Sequence, residues 1–131
     1  MTKPRINVVS AAIKRDGRYL ITQRLDKAVL PNLWEFPGGK VERGETDEQA
    51  LKRELEYRLG VDVAVGQRLN SHEQEYPKYT VQLRLYECDL GPNDPLPINV
   101  KDLRWVKSSE FDAYEFTPAD EKSMDALLFG K

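Results

Sequence analysis

The residues whose types and spacing suit chemistry lie in the stretch GGKVERGETDEQALKRELEYRLGV, from Gly38 to Val61. Gly38 and Gly39 let the backbone bend without side-chain clashes and leave their carbonyls open to close approach by a cation or a phosphate. An acidic, helix-patterned segment follows, in which Glu54 and Arg58 share a face, as do Arg53 and Tyr57. A hard divalent ion needs oxygens gathered at one point, and Mg2+ commonly takes one or two carboxylates plus substrate phosphates. Carboxylates at i, i+3 and i+4 on one helix would gather them. Here the third and fourth positions after Glu54 hold Tyr57 and Arg58 instead. Spacing alone leaves a second reading open, a solvated helix face after a tight turn.

The elements that must position these residues are legible around them. Thr46 is suited to N-cap a helix, and Gln49 three residues later completes a capping box. Ala50, Leu51, Leu55 and Leu59 form an apolar stripe at helical spacing, and Gly60 supplies a left-handed stop, so a helix is expected over Thr46–Leu59. Upstream, INVVSAAIK and RYLITQR flank Asp16-Gly17, the signature of an antiparallel hairpin. Residues Leu25–Pro37 are rich in turn formers and read as irregular. Downstream, VDVAVGQRL and YTVQLRLYECDL alternate as strands, with NSHEQEYPK as their connection. LGPNDPLPINVKD is a proline-rich loop, LRWVK a short strand, and Ser108 opens a short turn. Thr117-Pro118-Ala119-Asp120 starts a last helix, with a cap, Pro at the first helical position and an acid in the first turn, and DEKSMDALLF continues it.

That order, with antiparallel signals dominating, predicts an α+β fold with a mixed sheet and helices packed on its faces. A doubly wound dinucleotide fold is excluded by the lack of any GxGxxG or GxxxxGK[ST] pattern. At 131 residues the chain is expected to be one domain spanning 1–131. With 40% apolar and 32% charged residues it is globular in composition. A net charge of -2 gives no long-range pull on nucleic-acid polymers or anionic membranes, whereas free nucleotides need only local basic groups. No apolar run approaches membrane-spanning length and MTKPRINVVS lacks a signal-peptide core, so a soluble, cytoplasmic protein is expected. Cys88 is alone and alternates into a strand, which suits a buried small hydrophobe better than a nucleophile.

The stretch resembles the Nudix box of the Nudix hydrolases, G-x5-E-x7-R-E-U-x-E-E-x-G-U with U a bulky aliphatic residue. Gly39, Glu45, Arg53, Glu54, Leu55, Gly60 and Val61 all fall in place, and the lead-in LPNLWEFPGGKVE is similar to that of MutT-like members. The likeness extends weakly through LRWV and FTPAD. It implies an α/β/α sandwich with a mixed, largely antiparallel sheet between helices. It also implies hydrolysis of a nucleoside diphosphate linked to another group, by attack of water on the pyrophosphate bridge, with Mg2+ or Mn2+ as cofactor. By the same resemblance Gly39 would lend a backbone carbonyl to the metal, Glu45 would pair with Arg53, and Arg53 would steady Glu54. Glu54 would bind the ion and, in some members, act as base.

The pattern is broken at Tyr57 and Arg58, where MutT-like members carry two acidic metal ligands. A further glutamate that such members place before the W-V strand falls near Asn99, with Asp102 the nearest acid. Exchanging two carboxylates for a phenol and a guanidinium shifts local charge by about three units, and one unit pair near 4 Å is worth on the order of 4 kcal/mol even with surface-like screening. Three outcomes stay open: one ion held by Glu54, Gly39 and the substrate's phosphates with slow hydrolysis, Arg58 as a phosphate clamp, or nucleotide binding without turnover. The substrate expected is a nucleoside triphosphate such as 8-oxo-dGTP, with CTP-type and dinucleotide substrates open and a catalytically inactive sensor as the alternative.

On the substrate side, Asp120 occupies the position that reads the base in MutT-like members, and as a carboxylate it would accept from exocyclic amines or a guanine N1-H. It serves equally as a first-turn acid of the last helix. Phe36, Tyr76 and Tyr79 are candidates for stacking on a base or for core packing. Arg24 is a phosphate contact by resemblance or an exposed strand-end cation. His72, the single histidine, reads as a loop residue.

Overall fold

Strand β1, Arg5–Arg15, organises the molecule because three neighbours share it. Its C-terminal end turns at Asp16 and Gly17 (φ 53° and 77°) into β2, Arg18–Gln23, and pairs Lys14 with Tyr19 as the Asp-Gly turn predicts. Along most of its length β1 instead runs parallel to β6, Thr80–Asp89, from Arg5↔Thr80 to Ile13↔Cys88. Two short strands, β3 (Trp34–Glu35) on β2 and β4 (Gly38–Lys40) on β1, lie in the region read as irregular and as a glycine turn. β5, Ala64–Glu75, pairs antiparallel with β6, and β7, Asp102–Val106, with β2. The result is a mixed seven-stranded sheet. The computed structural model describes residues 3–129, less the side chains of 124–126, 128 and 129.

Helix α1, Asp47–Leu59, has the expected boundaries. The Thr46 hydroxyl accepts from the Gln49 amide, the Gln49 side chain returns the bond to the Thr46 amide, and Gly60 closes the helix at φ 70°. Its apolar stripe is buried against one sheet face, where Ala50, Leu51, Leu55 and Leu59 meet Val9, Ala11 and Ile13. A fully buried leucine contributes on the order of 2 kcal/mol, so this stripe fixes how α1 lies on β1 and β4. Helix α2, Pro118–Phe129, and a 3-10 turn at Ser108–Ala113 cover the opposite face, with Phe111, Phe116 and Ala119 packed on Phe36, Leu83 and Leu85. Helices on both faces of a mixed sheet make the expected α+β sandwich.

The differences from expectation have physical reasons. Residues 70–75, read as a connection, belong to β5, which stops only at Glu75. Its inward positions there include His72 and Gln74, polar residues that erase the apolar alternation by which an edge strand is recognised. His72 is therefore a strand residue, not a loop residue. Val61 and Val63, read as the start of that strand, precede it, and both are buried beside α1. Cys88 is buried as expected, and burial pushes its thiol up to about 12.

Candidate active site

The two glycines are required by clearance rather than by a left-handed turn. A Cβ on Gly38 would fall 1.9 Å from the Val9 carbonyl oxygen, because β4 runs tight against β1. A Cβ on Gly39 would fall 2.4 Å from Cδ of Glu54. Gly39 thus leaves the room in which the Glu54 carboxyl sits against the β4 backbone, and the sheet and the helix meet there.

Arg53 ties that junction together. Its Nε donates to Glu45 Oε2 at 2.6 Å and Nη2 to Glu45 Oε1 at 3.0 Å, while Nη2 also reaches the Lys40 carbonyl at 2.8 Å. Nη1 donates to Glu54 Oε2 at 2.8 Å. Glu45 in turn accepts from the Glu42 amide at 2.8 Å. The guanidinium beside Glu45 holds its carboxyl below the usual range, and the same contacts raise Arg53. Glu54 is 8% exposed. Its other oxygen, Oε1, accepts from Arg58 Nε at 2.6 Å.

Beside this junction opens a cavity of about 460 Å3, lined by Gly39 and Glu54 but not by Arg53 or Glu45. Gly39, Lys40, Glu54 and Arg58 from β4 and α1 give it a charged wall, and Val8, Val81 and Leu83 from the sheet an apolar one. Tyr76 and Tyr79 stand there with ring centroids 5.2 Å apart. Phe36 lines the cavity too, yet it is 1% exposed and is held within 5.7 Å of Phe111 and 5.5 Å of Phe116, so most of its ring belongs to the core. Arg24 reaches in from the end of β2, with Nη1 on Glu35 Oε1 at 3.0 Å and Nε on the Val29 carbonyl at 2.6 Å.

Asp120 lies at the start of α2 on the cavity wall, buried, and accepts from the Thr117 hydroxyl at 2.7 Å and the Phe36 amide at 3.4 Å. Burial first, and Glu35 second, push its acid up to about 8. Burial raises Glu35 as well, against the pull of Arg24 and Arg58, and at about 8 Asp120 favours its neutral form at neutral pH. A neutral acid donates as well as accepts, which amends the acceptor-only role read from the sequence. His72 does not line the cavity but stands behind Ala119: Asn70 Nδ2 lies 3.1 Å from its Nδ1, and its Nε2 lies 2.8 Å from the Ala119 carbonyl. Those partners make Nε2 the protonated nitrogen, and burial lowers the ring's affinity for a second proton.

Two cavity residues escaped the sequence reading. Glu35 had a usable signal, an acid between Trp34 and Phe36 in an otherwise apolar lead-in. Ser10 had one too, a hydroxyl inside the apolar run of β1. Its buried oxygen lacks a hydrogen-bond partner within the described structure.

The expected pair of lost ligands separates in space. Tyr57 is 61% exposed and does not line the cavity, whereas Arg58 does. Asn99 turns its side chain to the Tyr57 carbonyl at 2.7 Å, which caps the end of α1. No group of three or more His, Cys, Asp or Glu side chains able to hold a metal gathers among the described residues. Both oxygens of Glu54 already hold guanidinium protons. The side chains present therefore do not fit a protein-held cluster of divalent ions.

Comparison with known proteins agrees with the geometry. Residues 8–126 match the model of the NUDIX domain. The chain is 35% identical to the CTP pyrophosphohydrolase of Escherichia coli K12, covering 94% of this chain and 91% of that one. It is also 35% identical to the 8-oxo-dGTP diphosphatase of Haemophilus influenzae, covering 98% and 95%. The solution structure of the E. coli ORF135 protein superposes with a TM-score of 0.82 at 34% identity, over 96% of this chain and 90% of that one. With the family model spanning nearly all the described residues, and the arginine and glutamates of the motif bonded together beside its glycine, this chain belongs to the Nudix family.

Proposed function

We propose that the chain is a cytoplasmic MutT-like nucleoside triphosphate pyrophosphohydrolase of reduced turnover. The observation that carries this reading is the seating of Glu54 on Gly39, braced from behind by Arg53 and Glu45, at the charged wall of a cavity of about 460 Å3, a size suited to a nucleotide-sized ligand. The triphosphate lies along Gly39, Lys40 and Arg58, and the base between the tyrosine pair and Asp120. Arg53 fixes Glu54, and Glu54 takes the proton of the attacking water. Arg58 must first withdraw from Oε1 for that to happen, which limits the rate. Any Mg2+ or Mn2+ comes on the substrate's own phosphates, since the wall offers no carboxylate cluster.

The base is narrowed by Asp120. A neutral acid pairs as donor and acceptor with edges that are acceptor and donor, which cytosine (N3 and the 4-amino group) and guanine (O6 and N1-H) both present. CTP and 8-oxo-dGTP, substrates in the names of the relatives above, are the first to try. The 2.6 Å contact from Arg58 to Glu54 also favours a second reading, a nucleotide-binding or sensor module without turnover.

Pyrophosphate release from 8-oxo-dGTP, dGTP, CTP and dCTP with Mg2+ or Mn2+, with Glu54→Gln alongside, distinguishes the two. Slow release that Glu54→Gln abolishes supports the hydrolase. Robust turnover untouched by that change defeats the catalytic assignment, and tight binding with no release under any condition selects the sensor.

A further inference from the structure

The mismatch between this cavity wall and a divalent ion carries a consequence for how phosphate is held. Arg58 spends one donor, Nε, on Glu54. Its Nη1 stands 4.0 Å from Glu35 Oε2, beyond hydrogen-bond length, and neither Nη nitrogen hydrogen-bonds to any described residue. A guanidinium has five N–H donors in a fixed fork, so four remain on a side chain that lines the cavity. The fork suits two oxygens of one phosphate, a match the ammonium of a lysine lacks.

Charge balance points the same way. Along this wall Arg58 faces Glu54 and Arg24 faces Glu35, while Lys40 and Glu42 contribute one further charge of each sign. Asp120 adds little negative charge at neutral pH. A wall with excess carboxylate repels a polyphosphate until a cation intervenes. This wall has no such excess, and its cation is covalently part of α1.

We infer that Arg58 stands in for the divalent ion toward the substrate's phosphates, so that the chain binds a nucleotide's polyphosphate without any metal. The inference rests on the cavity being a nucleotide site. Glu54 keeps Nε and thereby aims the fork, while Lys40 and Arg24 add positive charge at its flanks. Binding and turnover then separate in their metal requirement, since holding the phosphates needs only the chain and any ion serves the later step alone.

Calorimetric titration with inorganic tripolyphosphate, and with an α,β-methylene nucleoside triphosphate that resists cleavage, tests this in EDTA and in Mg2+. The expected affinities in EDTA lie within about threefold of those in Mg2+. Arg58→Gln weakens binding in EDTA by at least about tenfold, the scale of a charge-assisted hydrogen-bonded pair, and Arg58→Lys by less. Binding that requires Mg2+, or EDTA binding indifferent to Arg58→Gln in a variant that melts as the parent does, overturns the clamp and leaves the nucleotide site standing. Absence of binding by either probe in both buffers overturns the nucleotide site itself.

Discussion

The two ends of α1 each carry an arginine against a carboxylate, at the same closest distance of 2.6 Å, and they differ in what is left over. At the first turn Asp47 receives Arg84 through Nε at 2.6 Å and Nη2 at 2.8 Å, and the Tyr86 hydroxyl at 2.6 Å, while Arg84 Nη1 finds Asn7 at 3.3 Å. Each nitrogen of that guanidinium has a partner, two on Asp47 and one on Asn7 of β1. At the last turn Arg58 has one bond and, among the described residues, two unpartnered nitrogens beside a cavity. A cation in the last turn also suits the helix dipole, but that accounts for the charge and not for the open donors. An ion pair alone therefore says little about role; its unspent hydrogen-bonding capacity says more.

The comparison is broken most severely by Glu54→Gln, which is expected to cut pyrophosphate release about a hundredfold or more, the scale of a lost general base, while leaving the fold intact. The reverse test, Arg84→Met at the saturated end, is expected to lower unfolding free energy by about 1–3 kcal/mol in denaturant titration with turnover per folded molecule unchanged, because a half-buried Asp47 loses its partner. A loss of activity without loss of stability there would erase the distinction between the two ends. Next in size, Tyr57→Glu with Arg58→Glu is expected to raise Mg2+-dependent release by about tenfold, since the exchange at Arg58 makes the wall about two units more negative. Only the change at Arg58 is expected to contribute, because Tyr57 faces solvent; the single variants check this.

The last test concerns pH. Asp120 goes from an ordinary 3.8 to about 8 on folding, so between those values the folded state holds a proton that the unfolded state has released. Stability therefore falls as pH rises through that window, at no more than about 1.4 kcal/mol per pH unit for one proton, and levels above it. Asp120→Asn is expected to flatten that slope in melts run from pH 5 to pH 9.

Helix α1 was readable to the residue because its signals are local: Thr46 and Gln49 bond each other across one turn and Gly60 ends the run. The motif residues Gly39, Glu45, Arg53 and Glu54 were readable for the same reason. What escaped depends on residues distant in sequence. Glu35 helps raise Asp120 across a fold in which the Phe36–Asp120 contact spans 84 positions, and no spacing rule reaches that far. Tyr57 and Arg58 looked like equivalent losses until the packing of Leu51, Leu55 and Leu59 set the helix's rotation and turned one inward and the other out. The polar inner face of β5 concealed the second half of a strand whose first half was readable, and pairing with β6 supports it.

The parallel seam between β1 and β6 has a kinetic corollary. Side chains joined across it, such as Arg5 and Gln82, lie 77 positions apart, so the first strand to leave the ribosome has no permanent neighbour on that edge until most of the chain has been made. Closing so large a loop is entropically slow, and the waiting strand, with its run of Val9, Ala11 and Ile13, is an adhesive edge in the meantime. Nascent molecules stalled before Thr80 should therefore be the ones that chaperones capture.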